Sequence, residues 1–180
     1  MYFYPLKFDF DLLNDPTILD RLPKITHFKI PPNKIPELIS EKMLNLFKSL
    51  DLDISLLEIF YRSPGAGSGI HIDSYGGDYT KLNWIFGGKN STMKWWTPRD
   101  SNSGKIKDTI IDTKFLLYSQ DDVDLLYEYP LVSANLVQVG IPHSVVNPFE
   151  ERFCFSFVYR SNNQRLTMDQ SVNLFYPYIN

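Results

Sequence analysis

Polar and apolar residues alternate along several short stretches of the chain, with the period of two that is typical of β-strands. The clearest stretches are 56–62, 81–86, 92–96, 131–139 and 152–160. A looser alternation over 2–10 predicts a further strand at the edge of a sheet. Many short strands separated by turns predict a mainly β fold, either an antiparallel barrel or a jelly roll.

One stretch near the front has a helical period instead. Its apolar positions are Ile35, Leu38, Ile39, Leu46, Phe47 and Leu50, and Pro36 and Glu37 suit a first helical turn. The pattern predicts a single amphipathic helix that packs on the outside of a sheet. Farther along, the segment Gly87 to Asn90 separates two predicted strands, and its length and glycines predict a hairpin connection.

The composition agrees with this picture and narrows the possible functions. The chain has 180 residues, enough for one domain with a substantial core. We divide it into an N-terminal support (1–55), a β core (56–160) and a C-terminal tail (161–180). Aromatic residues make up 15% of the chain, which favours a β architecture. A net charge of −3 makes nucleic acid an improbable partner.

Cysteine content and hydropathy bear on the compartment. Cys154 is the single cysteine, so no internal disulfide can form, which is typical of a reducing compartment. No stretch approaches the ~20 consecutive apolar residues that a membrane span needs. We therefore expect a cytoplasmic protein with no membrane partner. The sequence does not indicate an oligomeric state.

The candidate chemistry centres on two of the three histidines. His71 and Asp73 stand two residues apart in a strand-like run, so their side chains point to the same face while Ile72 packs behind them. His143 lies far downstream and could supply a third ligand. Two imidazoles and one carboxylate that leave other coordination positions open are typical of non-haem iron(II) sites that activate dioxygen.

A basic residue follows the second histidine at the start of the next predicted strand. Arg152 has a planar guanidinium that can hold a carboxylate through two parallel hydrogen bonds. The competing interpretation is an ordinary arginine at the surface end of a strand. His27 and Arg160, by contrast, are expected to be structural or surface residues and are left out of the site.

Together, His71-x-Asp73, His143 and Arg152 resemble the iron(II)- and 2-oxoglutarate-dependent oxygenases, in particular their prolyl-hydroxylase-like branch. The stretches 81–86 and 91–96 are similar to strands of the aspartyl/asparaginyl hydroxylase-like relatives, and the resemblance covers roughly 56–159. It implies a double-stranded β-helix, a jelly roll of the cupin kind, that forms a single oxygenase domain over 1–180 with helical support.

The resemblance also implies an activity. His71, Asp73 and His143 would hold Fe(II), and Arg152 would bind the distal carboxylate of 2-oxoglutarate. With dioxygen, such an enzyme hydroxylates an unactivated C–H bond and releases succinate and CO2. The substrate would be a peptide or a small molecule, for example a peptidyl or free amino-acid side chain, and the sequence does not identify it.

Three further residues are candidates for contact with the cosubstrate. Lys81 and Asn83 share one face of their strand, so they could supplement Arg152 if that face lines the barrel interior, or face solvent if it does not. Tyr61 precedes the glycine-rich loop that leads to His71, where prolyl hydroxylases often use a tyrosine. Its alternative is a core or surface role.

Two other classes of protein remain open at this point. The same three ligands describe a catalytic zinc site that activates water for hydrolysis. A jelly roll can also be a binding module without catalytic activity, in which the histidines only pack. Arg152 favours the oxygenase, because a zinc hydrolase gives no particular reason for a cation at that place.

Overall fold

The computed structural model describes residues 1–73, 78–108, 114–131 and 133–180. Its strands are β1 (Phe3–Leu6), β2 (Phe28–Ile30), β3 (Asp53–Arg62), β4 (Ile70–Ile72), β5 (Thr80–Gly87), β6 (Thr92–Pro98), β7 (Lys105–Asp108), β8 (Lys114–Tyr118), β9 (Val123–Pro130), β10 (Ala134–Gln138), β11 (His143–Val146), β12 (Arg152–Ser161) and β13 (Gln164–Arg165). Its helices are α1 (Ile18–Arg21), α2 (Ile35–Leu38), α3 (Glu41–Ser49) and α4 (Met168–Phe175), with 3-10 turns at Pro32–Lys34, Gln120–Asp122 and Tyr176–Tyr178.

The strands form two antiparallel sheets. The major sheet has the order β1-β10-β5-β12-β3-β2, with β13 paired to β12, and the minor sheet has the order β7-β8-β4-β11-β6-β9. From β3 to β6 and again from β10 to β12, each strand lies in the opposite sheet to the one before it: β3, β5, β10 and β12 belong to the major sheet, and β4, β6 and β11 to the minor sheet. This winding is that of a double-stranded β-helix, and it confirms the predicted fold class.

The alternation along the central strands of the major sheet separates two environments. On β12, Phe153, Phe155 and Phe157 face outward into a large apolar core that includes Phe47 of α3 and Phe175 of α4. Burial of a phenylalanine of this kind contributes about 1.5–3 kcal/mol. The residues between them on β12 point the other way, into the space between the sheets. The helices therefore cover one face of the sheet and leave its other face for the site.

Two local predictions are corrected by the structure. The single helix predicted over 35–50 is interrupted, because Ile39 is extended and bridges Leu13, while the Ser40 side chain accepts a hydrogen bond from the backbone N–H of Met43 and caps α3. The segment Gly87 to Asn90 is not a hairpin turn. It joins β5 of the major sheet to β6 of the minor sheet, so it carries the chain from one layer to the other.

The two ends of the chain contribute more than the pattern indicates. β1 pairs with β10 and forms one edge of the major sheet, as the alternation over 2–10 predicts. The segment predicted as a tail contains α4, whose start is fixed by a capping box between Thr167 and Gln170. Phe175 of α4 is fully buried. The predicted strand over 131–139 is shorter, spanning β10, and position 132 lies outside the described residues.

Within the described residues, no helix combines the length and the apolar character needed to cross a bilayer.

Candidate metal centre

The structure brings His71, Asp73 and His143 together. His71 and His143 are register partners across the paired strands β4 and β11, and Asp73 lies one residue beyond the end of β4. His71 Nε2 is 3.0 Å from Asp73 Oδ1, and His143 Nε2 is 3.8 Å from the same oxygen. One donor atom from each residue falls within 4.8 Å of the others. Two donors bound at right angles to one ion at ~2.1 Å lie about 3 Å apart, so this spacing suits a shared metal ion.

Hydrogen bonds to the backbone orient both imidazoles toward the centre. His71 Nδ1 is 2.7 Å from the carbonyl oxygen of Gly69, and His143 Nδ1 is 2.9 Å from that of Ile141. A carbonyl can only accept, so each Nδ1 carries a proton and donates it, and each Nε2 is the nitrogen directed at the centre. In the absence of a metal ion, His71 Nε2 lies against Asp73 Oδ1, and the pKa of His71 is raised by that carboxylate although burial opposes the shift. Metal-binding histidines in proteins are held through Nδ1 in this way. The donor set and its orientation therefore fit a divalent transition metal.

A buried lysine stands beside the ligand carboxylate. Lys81 Nζ donates to Asp73 Oδ2 at 2.9 Å and to Glu58 Oε2 at 2.5 Å. Glu58 Oε1 is 3.0 Å from His27 Nε2, and the His27 ring stacks on Phe60 with 4.3 Å between the ring centroids. Because Lys81 occupies Oδ2, the other carboxylate oxygen of Asp73 is the one presented to the histidines.

The electrostatics of this group keep its carboxylates charged. Burial alone would raise the pKa of Asp73, but the positive charge of Lys81 and the hydrogen bond from His71 hold it well below its usual value. Burial and the charge of His71 lower the pKa of His143 to about 4. His143 is therefore neutral near pH 7, the form in which an imidazole binds a metal ion.

Arg152 lies inside the protein and lines the same cavity as the three candidate ligands, and it is 3% exposed. Its Nε has no hydrogen-bond partner among the described residues. The aliphatic part of its side chain packs against Gly88, which has a positive φ of 67° and where a Cβ would lie 2.8 Å from Arg152 Cγ. The turn between the two sheets thus leaves room for Arg152, and the interpretation as a surface arginine does not hold.

A second arginine, which the sequence analysis did not select, stands next to it. Arg62 is the register partner of Arg152 across β3 and β12. Its Nη1 donates to the carbonyl oxygens of Thr26 and Tyr61 at 2.7 and 2.8 Å. Within the described part of the chain, neither arginine forms an ion pair with a carboxylate. The two arginines therefore give this part of the cavity wall a positive charge that no carboxylate among the described residues offsets.

Two connected pockets surround these groups. The inner pocket, about 60 Å³, contains Arg152 and Asn83 together with the three candidate ligands. The outer pocket, about 340 Å³, is lined mainly by Phe60, Phe115 and Leu117 and by the glycine-rich loop before β4. His71, Asp73 and Arg62 border both pockets. A bound metal ion would lie where a small pocket meets a larger and more apolar one.

The remaining predicted residues divide between the two faces of the major sheet. Lys81 and Asn83 both point into the barrel interior and not to solvent, the two alternatives that the sequence left open. Asn83 Oδ1 is buried and has no partner among the described residues. The structure does not bring Tyr61 to the site: its ring packs against Phe153 on the outward face, and its hydroxyl donates to Glu151.

Three residues of the site were missed by the sequence analysis. Glu58 and Arg62 alternate with apolar residues on β3, so a charged face on a central strand was a usable signal. His27 was set aside as structural, yet it borders the outer pocket. No local pattern marks His27, because it reaches the site only through the pairing of β2 with β3.

The fold and the site define a class: a double-stranded β-helix protein with a candidate His-Asp-His metal centre between its sheets. No protein-family model and no curated protein sequence matches the chain.

Solved structures of similar shape include E. coli ycfD, with a TM-score of 0.38 and 14% identity, covering 73% of this chain and 31% of that one. Vicilin from Capsicum annuum has a TM-score of 0.35 and 12% identity, and the match covers 79% of this chain and 30% of that one. Vicilin from hazelnut, Corylus avellana, has a TM-score of 0.34 and 12% identity, and the match covers 83% of this chain and 37% of that one. The chain thus spans about a third of the length of each, and likenesses this distant say nothing about activity.

Proposed function

We propose that the protein is an iron(II)- and 2-oxoglutarate-dependent oxygenase that hydroxylates an unactivated C–H bond. The observation that supports this proposal best is the shared cavity, which is lined both by the His71, Asp73 and His143 cluster and by the buried Arg152. A keto acid with a second carboxylate has one group for the metal ion and one for Arg152. A zinc hydrolase gives no particular reason for a buried arginine without a counter-charge, and a binding module gives none for the metal ligands beside it.

Each residue has a definite part in this proposal. His71 and His143 would bind iron through Nε2 and Asp73 through Oδ1, while the remaining coordination positions stay available. When bound, iron(II) with 2-oxoglutarate and dioxygen supplies the oxidation, and succinate and CO2 are the coproducts. Arg152 would hold the distal carboxylate of the cosubstrate, and Asn83 could donate to it from the neighbouring strand. Lys81 keeps Asp73 ionised and oriented.

The walls of the cavity would control water and the reacting position. Phe60, Phe115 and Leu117 give the outer pocket an apolar lining next to the ligand cluster. An apolar wall strengthens the electrostatic interactions inside and keeps bulk water from the reacting centre. The outer pocket is therefore the place where the substrate would lie, with the carbon to be oxidised facing His71 and Asp73.

Succinate release tests the proposal. Purified protein with Fe(II), ascorbate, 2-oxoglutarate and oxygen should form succinate even without substrate, and the rate should fall at least about a hundredfold in His143→Ala. Arg152→Met should mainly raise the KM for 2-oxoglutarate. Arg160→Met is the matched control, because Arg160 is an exposed arginine on the same strand. Zinc-dependent hydrolysis without succinate, or failure to retain any divalent metal, would contradict the proposal.

A further inference from the structure

We propose that the outer pocket takes a small organic acid, and that Arg62 binds the carboxylate of this substrate. The inference rests on the proposed function, since it assumes that Arg152 is occupied by the cosubstrate. It concerns the second cation of the pair, which the cosubstrate does not need.

The charges around the cavity support an anionic substrate. The two pockets are lined by four cationic side chains, Arg62, Lys81, Lys114 and Arg152, against two carboxylates, Glu58 and Asp73. A divalent metal ion and a dianionic cosubstrate cancel each other, so the excess of positive charge persists in the loaded site. Lys81 is satisfied by its two carboxylates. The unbalanced charge therefore belongs to the arginines and to Lys114 at the rim.

Arg62 is positioned to bind an anionic group of the substrate. The two carbonyls that bind its Nη1 fix the guanidinium plane, while Nε and Nη2 make no hydrogen bond to the described residues. Burial and the nearby charge of Arg152 both lower the pKa of Arg62, which means that its positive charge lacks compensation. Arg62 borders both pockets, so an anion bound there would lie beside the ligand cluster.

The shape and lining of the outer pocket indicate the rest of the substrate. A volume of about 340 Å³ is within the range of small-molecule sites. Phe60 and Phe115 would contact an apolar or aromatic body, while Arg62 holds its acid group. A neutral or cationic molecule would leave Arg62 without a counter-charge, which is costly in a partly buried site.

A matched pair of probes tests this inference. Binding of 3-phenylpropionate and of its uncharged counterpart 3-phenylpropanamide would be measured by calorimetry on protein loaded with Zn(II) and saturating 2-oxoglutarate, which cannot turn over. We expect the acid to bind roughly tenfold more tightly than the amide. Arg62→Met should abolish this preference, Arg62→Lys should restore part of it, and Arg160→Met should leave it unchanged.

Affinity for 2-oxoglutarate separates the two arginines. It should change less than about twofold in Arg62→Met but fall more than about tenfold in Arg152→Met. Equal binding of acid and amide by the wild type would overturn the inference, and so would a loss of 2-oxoglutarate affinity in Arg62→Met as large as in Arg152→Met. Thermal unfolding of each variant shows whether it is folded. If Arg62→Met does not fold, Arg62→Lys is used in its place for the same comparison.

The acid-site inference can be tested even if the oxygenase proposal fails. If 2-oxoglutarate does not bind the wild type at all, the oxygenase proposal fails. The acid and amide would then be compared on metal-free wild type, Arg62→Met and Arg152→Met. A preference lost only with Arg62 would still support an acid site in the outer pocket, and a preference lost only with Arg152 would refute it.

Discussion

The two faces of the major sheet are built from the same strands and have opposite characters. On the outward face, Leu57, Leu82 and Phe155 of β3, β5 and β12 are fully buried under the helices. On the inward face, the neighbouring positions include the buried polar residues Lys81 and Arg152. A shift of one residue along a strand changes a core position into a site position, because side chains alternate with a period of two.

The comparison indicates that one face mainly stabilises the fold and the other mainly forms the candidate site. The outward face supplies apolar burial, which is the dominant favourable contribution to folding. The inward face contains charged groups whose burial is costly unless they are paired. These groups depend on the sheet for their position and on their mutual ion pairs to offset the cost of burial. Outward substitutions should therefore change stability through lost apolar packing, while inward substitutions should change it through charge and should also alter ligand binding.

The largest effect is expected on the outward face. Phe155→Ala should lower the free energy of unfolding by about 4 kcal/mol, because it removes a fully buried ring that packs edge to face on Phe86. Ser156→Ala, the adjacent inward position, should change it by less than about 1 kcal/mol. Urea unfolding measures both. The division would be wrong if Ser156→Ala proved the more destabilising of the two.

The next effect is electrostatic and lies on the inward face. Lys81→Met removes the cation between Glu58 and Asp73 and leaves two carboxylates buried near each other. Breaking a buried ion pair costs about 3–5 kcal/mol, and the low end, about 3 kcal/mol, applies because Glu58 can take up a proton. Urea unfolding with a chelator present, so that metal binding does not contribute, gives the value.

A second variant tests the cause of that loss. Lys81→Met combined with Glu58→Gln removes one of the two uncompensated charges, so the double variant should recover about 1–2 kcal/mol relative to Lys81→Met alone. Destabilisation that is simply additive would show that Lys81 stabilises by packing its aliphatic chain and not by its charge.

The contrast between the faces also explains what the sequence could predict. Alternation of polar and apolar residues identifies strands, and the spacing of His71 and Asp73 places both on one face. These are short-range properties. The pairing of His71 with His143 depends on the register of β4 against β11, which are some seventy residues apart in the chain. It could be inferred only through the resemblance to a known family.

Where the sequence misled, a local pattern was compatible with more than one structure. The glycines at 87 and 88 permit a sharp turn of either kind, and the choice between a hairpin and a passage to the other sheet depends on which strands pair. The apolar spacing over 35–50 is helical throughout, but Ser40 starts a new helix and Ile39 pairs with Leu13. Residues that reach the site through distant pairings, such as His27, leave no mark in the sequence around them.

The smallest effect has the opposite sign and gives the sharpest comparison of the faces. Asn83 Oδ1 is buried on the inward face without a partner among the described residues, a desolvation cost that the folded protein bears. Asn83→Leu keeps the number and branching of the side-chain heavy atoms and removes that cost, so it should stabilise the metal-free protein by about 1 kcal/mol while weakening the binding of 2-oxoglutarate. Such an opposition is expected of a residue kept for binding and not for folding. Destabilisation by Asn83→Leu, with 2-oxoglutarate binding unchanged, would assign Asn83 to the structural framework of the sheet.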